Sequence, residues 1–101
     1  MAIYKTASYR VQPQSLPKVK QAIDAYITYI RSNEPNTILY TSLQSAEDET
    51  AFLHVMGFKD AAAEEQHRMS EGTQRFVDIL YPETIDGVKF SDYQLEATTL
   101  S

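Results

Sequence analysis

The stretch Ala51-Phe52-Leu53-His54-Val55-Met56-Gly57-Phe58 decides the fold. It is rich in aromatic and aliphatic residues and lies between the polar run 45–49 and Lys59-Asp60. That composition and punctuation predict a β-strand. Side chains alternate along a strand. One face therefore carries Phe52, His54, Met56 and Phe58, and the other Ala51, Leu53 and Val55. Both faces are apolar, so this strand needs cover on both sides.

Reading outward, residues 37–44 form the preceding strand. Ile38 and Tyr40 are expected on one side, and Leu39 and Leu43 on the other. The polar run between the two strands makes them a hairpin. Residues 3–11, with Tyr, Thr, Ile and Val, predict a first strand that Pro13 stops. Ser15 fits a helix N-cap, with Pro17 in the first turn, where its missing N–H costs nothing. Leu16, Val19, Ile23, Tyr26, Ile27 and Ile30 then recur at helical spacing until Asn33-Glu34-Pro35-Asn36 ends the helix.

After the hairpin, Asp60 is the next expected cap, followed by Ala61-Ala62-Ala63-Glu64-Glu65. Ser70 restarts a helix through Thr73, Phe76, Val77 and Leu80, with Gly72 read as a break and Pro82 as the end. Asp86-Gly87 is expected to make a turn before a last strand over 88–98. The order strand–helix–strand–strand–helix–strand predicts an α+β, ferredoxin-like split βαβ fold in one domain, 1–101. Its four-stranded antiparallel sheet carries the helices on one face. The other face needs a second partner, and the simplest is a second copy in a homodimer.

Composition narrows the function. The chain has 101 residues and a net charge of -5. Residues 1–45 carry five Lys/Arg against two Asp/Glu, and residues 46–101 four against twelve. A nucleic-acid binder would mass basic residues on one face, so no nucleic-acid partner is expected. Glu47-Asp48-Glu49 reads as a solvated turn. With no cysteine, disulfides, zinc–thiolate sites and thiol nucleophiles are excluded. The N-terminal residues lack the pattern of a signal peptide. No apolar run approaches the ~20 residues of a membrane span. The expectation is a cytoplasmic protein with no membrane partner.

From Glu34 to Pro82 the sequence resembles the antibiotic biosynthesis monooxygenase family, within the dimeric α/β-barrel superfamily. The resemblance rests on Glu34-Pro35, the aromatic Phe52, Phe58-Lys59-Asp60, the spacing of His67 and Phe76, Tyr81-Pro82 and Asp86-Gly87. It implies two sheets packed face to face as a dimeric barrel. It also implies a ligand pocket between helices and sheet in each subunit, with Phe52, His54, Met56 and Phe58 facing it. The family often places a Glu and a Trp near the end of the third strand, where this chain has Met56 and Phe58. Haem-degrading members use an Asn on the first strand, a Trp and a later His. The corresponding positions here are a strand without Asn, His67 and Val77, which argues against haem degradation.

No Gly-rich phosphate loop or nucleotide fingerprint is present, because Gly57, Gly72 and Gly87 are isolated. The two histidines are thirteen residues apart on different elements, with no metal-binding spacing around them. Neither a cofactor nor a metal is therefore expected. The resemblance implies oxidation of electron-rich polycyclic phenols, whose anions pass an electron to O₂ directly. Such a site needs an aromatic enclosure and one or two titratable groups. Tyr40, Phe52, Met56, Phe58 and Phe76 are the candidate walls. His54 and His67 are the candidate catalytic groups, since they alone titrate near neutral pH without a large shift.

The same residues also have plainer readings. Buried Phe is more often core than pocket wall. His54 fits equally a hydrogen-bonded structural histidine, and His67 a surface residue near a helix end. Tyr9, Tyr40 and Tyr93 are the candidate polar handles, while Arg68 and Arg75 are expected to face water. Two other functions use the same fold. One is a non-catalytic small-molecule-binding or stress-associated barrel, and the other a proton-transfer isomerase.

Overall fold

The computed structural model describes residues 1–100. Strands β1 (Ile3–Val11), β2 (Thr37–Gln44), β3 (Ala51–Phe58) and β4 (Thr84–Tyr93) form one antiparallel sheet in the order β2-β3-β1-β4. Helices α1 (Leu16–Asn33), α2 (Ala61–Arg68) and α3 (Glu71–Leu80) cover one face of it. This is the α+β, ferredoxin-like arrangement that the element order predicts.

The covered face is built by the alternation of β1 and β3. Ala7, Tyr9 and Val11 of β1 are buried beside Phe52, His54, Met56 and Phe58 of β3. Helix α1 lays Val19, Ala22, Ile23, Tyr26 and Ile30 over them, and α3 adds Phe76 and Leu80. On the opposite face Leu53 is 38% exposed and Leu43 48% exposed. Ile38 joins that outer face instead of accompanying Tyr40. Thr37 pairs with Phe58 and Leu39 with Gly57, so Ile38 bulges, and its Cγ1 comes close to the outward side of Gly57.

Four local expectations are corrected. Ser15 does not cap α1. Its backbone is itself helical, at the end of a 3₁₀ turn (Pro13–Ser15), and its hydroxyl donates to the Glu83 carboxylate, which Lys18 also meets at 3.0 Å. The break between α2 and α3 falls at Met69-Ser70, where Ser70 Oγ accepts the Thr73 N–H at 3.1 Å. Gly72 lies inside α3 for a different reason: a Cβ there would come within 2.2 Å of Tyr29, so the glycine lets the two helices approach.

Asp86 and Gly87 do not precede the last strand. They bulge within it at φ 66° and 75°, shifting the pairing from Ser8–Lys89 to Arg10–Ile85. The chain turns earlier, through a 3₁₀ turn at Tyr81–Glu83. Strand β4 ends at Tyr93 instead of continuing to 98, because Tyr93 faces Tyr4 near the start of β1 and little partner strand remains. Asp60 caps α2 as expected, accepting the Ala63 N–H at 2.9 Å. Among the described residues, no helix is long and apolar enough to cross a membrane.

Candidate functional site

Between the helices and the covered sheet face lies a cavity of about 460 Å³. Its walls come from every layer: Tyr40, His54, Met56 and Phe58 from the hairpin, Tyr9 from β1, Tyr26 from α1, His67 from α2 and Phe76 from α3. Phe52 does not line it. That ring stacks on Tyr9 at 5.5 Å between centroids, under α1, and belongs to the solid core. Tyr93, expected as a polar handle, is 58% exposed and lies away from the cavity. At the rim Lys5 Nζ meets Glu64 at 2.6 Å and Asp92 at 3.5 Å. Arg68 also reaches the rim and pairs with Glu65, while Arg75 lies over the Tyr29 ring.

His54 is 1% exposed. Tyr9 Oη lies 2.8 Å from its Nε2 and Tyr40 Oη 2.7 Å from its Nδ1. Burial lowers its pKa from 6.5 to about 4, so the ring is neutral at pH 7. A neutral imidazole has one N–H and one lone pair. One tyrosine therefore donates to His54 and the other accepts from it. Burial also pushes the ionisation of both phenols upward, which keeps them as hydroxyls.

His67 is buried too, not on the surface. Its Nδ1 is 2.7 Å from Glu34 Oε1 and its Nε2 is 2.9 Å from Tyr26 Oη. Proton positions follow from the neighbours. Thr73 Oγ1 lies 2.7 Å from the His67 carbonyl, an oxygen that only accepts, so Thr73 donates there. Tyr26 Oη, 2.8 Å from the same Thr73 oxygen, must then donate to it. Hence Nε2 carries the hydrogen that Tyr26 accepts. A further proton lies between Nδ1 and Glu34, whose Oε1 also accepts the Thr37 hydroxyl at 2.8 Å. The rings of Phe58, Tyr40 and Tyr26 surround the imidazole with centroids at 5.0, 5.6 and 5.8 Å.

Sequence reasoning missed Glu34, Tyr26 and Thr73 as site residues. Glu34 reads as helix-end punctuation, yet it is buried, and its Oε2 has no hydrogen-bond partner among the described residues. Tyr26 reads as one member of the apolar stripe. A phenol among isoleucines is the available signal, because a buried Tyr hydroxyl needs a partner.

The model of the antibiotic biosynthesis monooxygenase family matches residues 2–79. The chain belongs to that family. Solved structures agree on the fold. An antibiotic biosynthesis monooxygenase superposes with a TM-score of 0.87 at 18% identity, over 96% of this chain and 100% of its own. A Mycobacterium tuberculosis protein does so at 0.88 and 16%, over 98% and 99%. A conserved protein of Methanosarcina mazei gives 0.85 and 19%, over 93% and 92%. No match is found among curated proteins.

The depressed His54 pKa sets a pH window for stability in this family member. In the unfolded chain His54 takes up a proton below about pH 6.5, and in the folded chain only below about 4. Between those values the unfolded state binds more protons, so stability falls as pH falls. The contribution is fully present above pH 6.5 and lost by pH 4. It amounts to about 3 kcal/mol for a shift of this size. Urea unfolding at pH 7 and pH 4.5 should show most of this loss in the wild type and a smaller one in His54→Gln.

Proposed function

We propose that the chain is a cofactor-free, cytoplasmic, monooxygenase-like protein acting on a small aromatic molecule of the phenol or quinol type. Membership of the family supports the monooxygenase class. The observation that carries the reading is the neutral His54 between two hydroxyls on the wall of an aromatic cavity. Tyr40, Met56, Phe58 and Phe76 enclose the ring system, and apolar walls with few polar groups suit such a ligand.

The reaction balances without an external reductant. A phenol and O₂ give a quinone and water. The phenol hydroxyl loses its proton, and the phenolate supplies electrons to O₂. A C–O bond forms at the ring, the O–O bond breaks, and the second oxygen leaves as water with the hydroxyl and ring hydrogens. His54 is the proposed proton acceptor, acting through a tyrosine hydroxyl because both its nitrogens are already engaged. His67 is the weaker candidate, since its Nε2 already carries the hydrogen that Tyr26 accepts and its Nδ1 is engaged by Glu34. The same saturation of His54 favours a second reading, a non-catalytic binding protein for such ligands.

Oxygen uptake with polycyclic phenols separates the two. His54→Ala, shown to be folded and assayed at saturating phenol, should lose roughly 10²–10⁴-fold in turnover as expected for general acid–base catalysis. No uptake by the wild type across such phenols would leave the binding reading.

We also propose that the outer sheet face, with Leu43, Leu53 and Ile38, pairs with a second copy. Sedimentation should give twice the 11.5 kDa chain mass. Leu53→Asp should yield monomer or unfolded chain, because it places a charge in a dry interface.

A further inference from the structure

Three tyrosine hydroxyls face the cavity, and their hydrogens can be assigned in turn. Tyr26 gives its hydrogen to Thr73. Tyr9 and Tyr40 share the neutral His54, which takes a hydrogen from one and gives its own to the other. Between them, Tyr9 and Tyr40 therefore keep one hydroxyl hydrogen that His54 does not use. When it sits on Tyr40, the neighbouring Tyr26 hydroxyl competes for it, the two rings meeting edge to face at 5.3 Å. When it sits on Tyr9, no second polar side chain is within hydrogen-bonding distance among the described residues, and the hydrogen is free for a ligand.

We propose that Tyr9 is the cavity's ligand-binding donor, giving its hydroxyl hydrogen to an acceptor oxygen on the aromatic ligand, a ring carbonyl or a phenolate, while His54 acts as the positioning residue that frees it. The inference rests on the aromatic-ligand reading of the cavity and adds which atom recognises the ligand. Binding selects one tautomer of His54: Nδ1 accepts from Tyr40, and Nε2–H donates to Tyr9. The hydrogen moves by a flip within the triad, so no net charge is created on the buried imidazole, which is the state burial penalises most. A ligand lacking an acceptor oxygen gains no hydrogen bond from Tyr9, so the site favours ligands that carry one over plain hydrocarbons.

The test uses two probes with one carbon skeleton, α-tetralone, which has a ring carbonyl, and tetralin, which has none. The wild type should bind the ketone roughly tenfold more tightly than the hydrocarbon. Tyr9→Phe should lose that preference while still binding tetralin. With α-tetralone saturating, ¹⁵N–¹H correlation of wild-type His54 should place the ring hydrogen on Nε2, a readout that needs no variant to fold. Equal affinity of the wild type for both probes, including no binding of either, overturns the proposal. So does a hydrogen on Nδ1 in the complex, or a Tyr9→Phe protein that keeps the ketone preference. If the preference and the tautomer are as stated but no phenol drives oxygen uptake, the donor role of Tyr9 stands and the oxygenase reading falls.

Discussion

The Tyr26 hydroxyl is the joint on which this structure depends. It accepts from His67 on α2 and donates to Thr73 on α3, while its ring stacks on Phe76 at 4.4 Å and meets Tyr40 of β2 edge to face. One side chain on α1 thus ties both shorter helices to the hairpin. Its direction of donation is forced by the Thr73 contact with a carbonyl, and that direction fixes the hydrogen on His67 Nε2. The packing of the core and the protonation of the site are in this sense one constraint, because a buried hydroxyl without a partner would cost about 1–3 kcal/mol.

Two histidines in one cavity consequently have different partners. His54 has only hydroxyl partners, and burial keeps it neutral. His67 has a carboxylate behind it and aromatic rings around it. The difference lies in the second partner of each ring and not in depth, since both are buried. The neutral His54 can exchange a hydrogen with its neighbours, whereas His67, through Tyr26 and Glu34, ties α1, α2 and β2 together.

Much of the fold was legible because two periodicities carry it. Alternation in β3 placed Phe52, His54, Met56 and Phe58 on the covered face, and the stripe from Leu16 to Ile30 placed α1 above it. The errors cluster where a local signal has two outcomes. Asp86-Gly87 supplies two left-handed residues, which serve a bulge as well as a turn, and only the register with β1 decides. Gly72 marks a close helix approach and not a break, because Tyr29 lies across the interface and is invisible in a local reading. In the site, strand alternation assigned a face but not a depth along it. Phe52 shares the face of His54 yet packs into solid core under α1. Glu34 and Thr73 were illegible for a related reason, as their partners are 33 residues or more away or on another element, and nothing local marks an acid at a helix end as buried.

The distribution of hydrogens over these two rings can be read directly. Long-range ¹⁵N–¹H correlation spectra of the ligand-free protein at pH 7 report hydrogens on each ring nitrogen. A hydrogen is expected on Nε2 of His67 and on one nitrogen of His54. A His54 protonated on both nitrogens, or a His67 with a bare Nε2, would contradict the hydrogen-bond directions on which the site has been built.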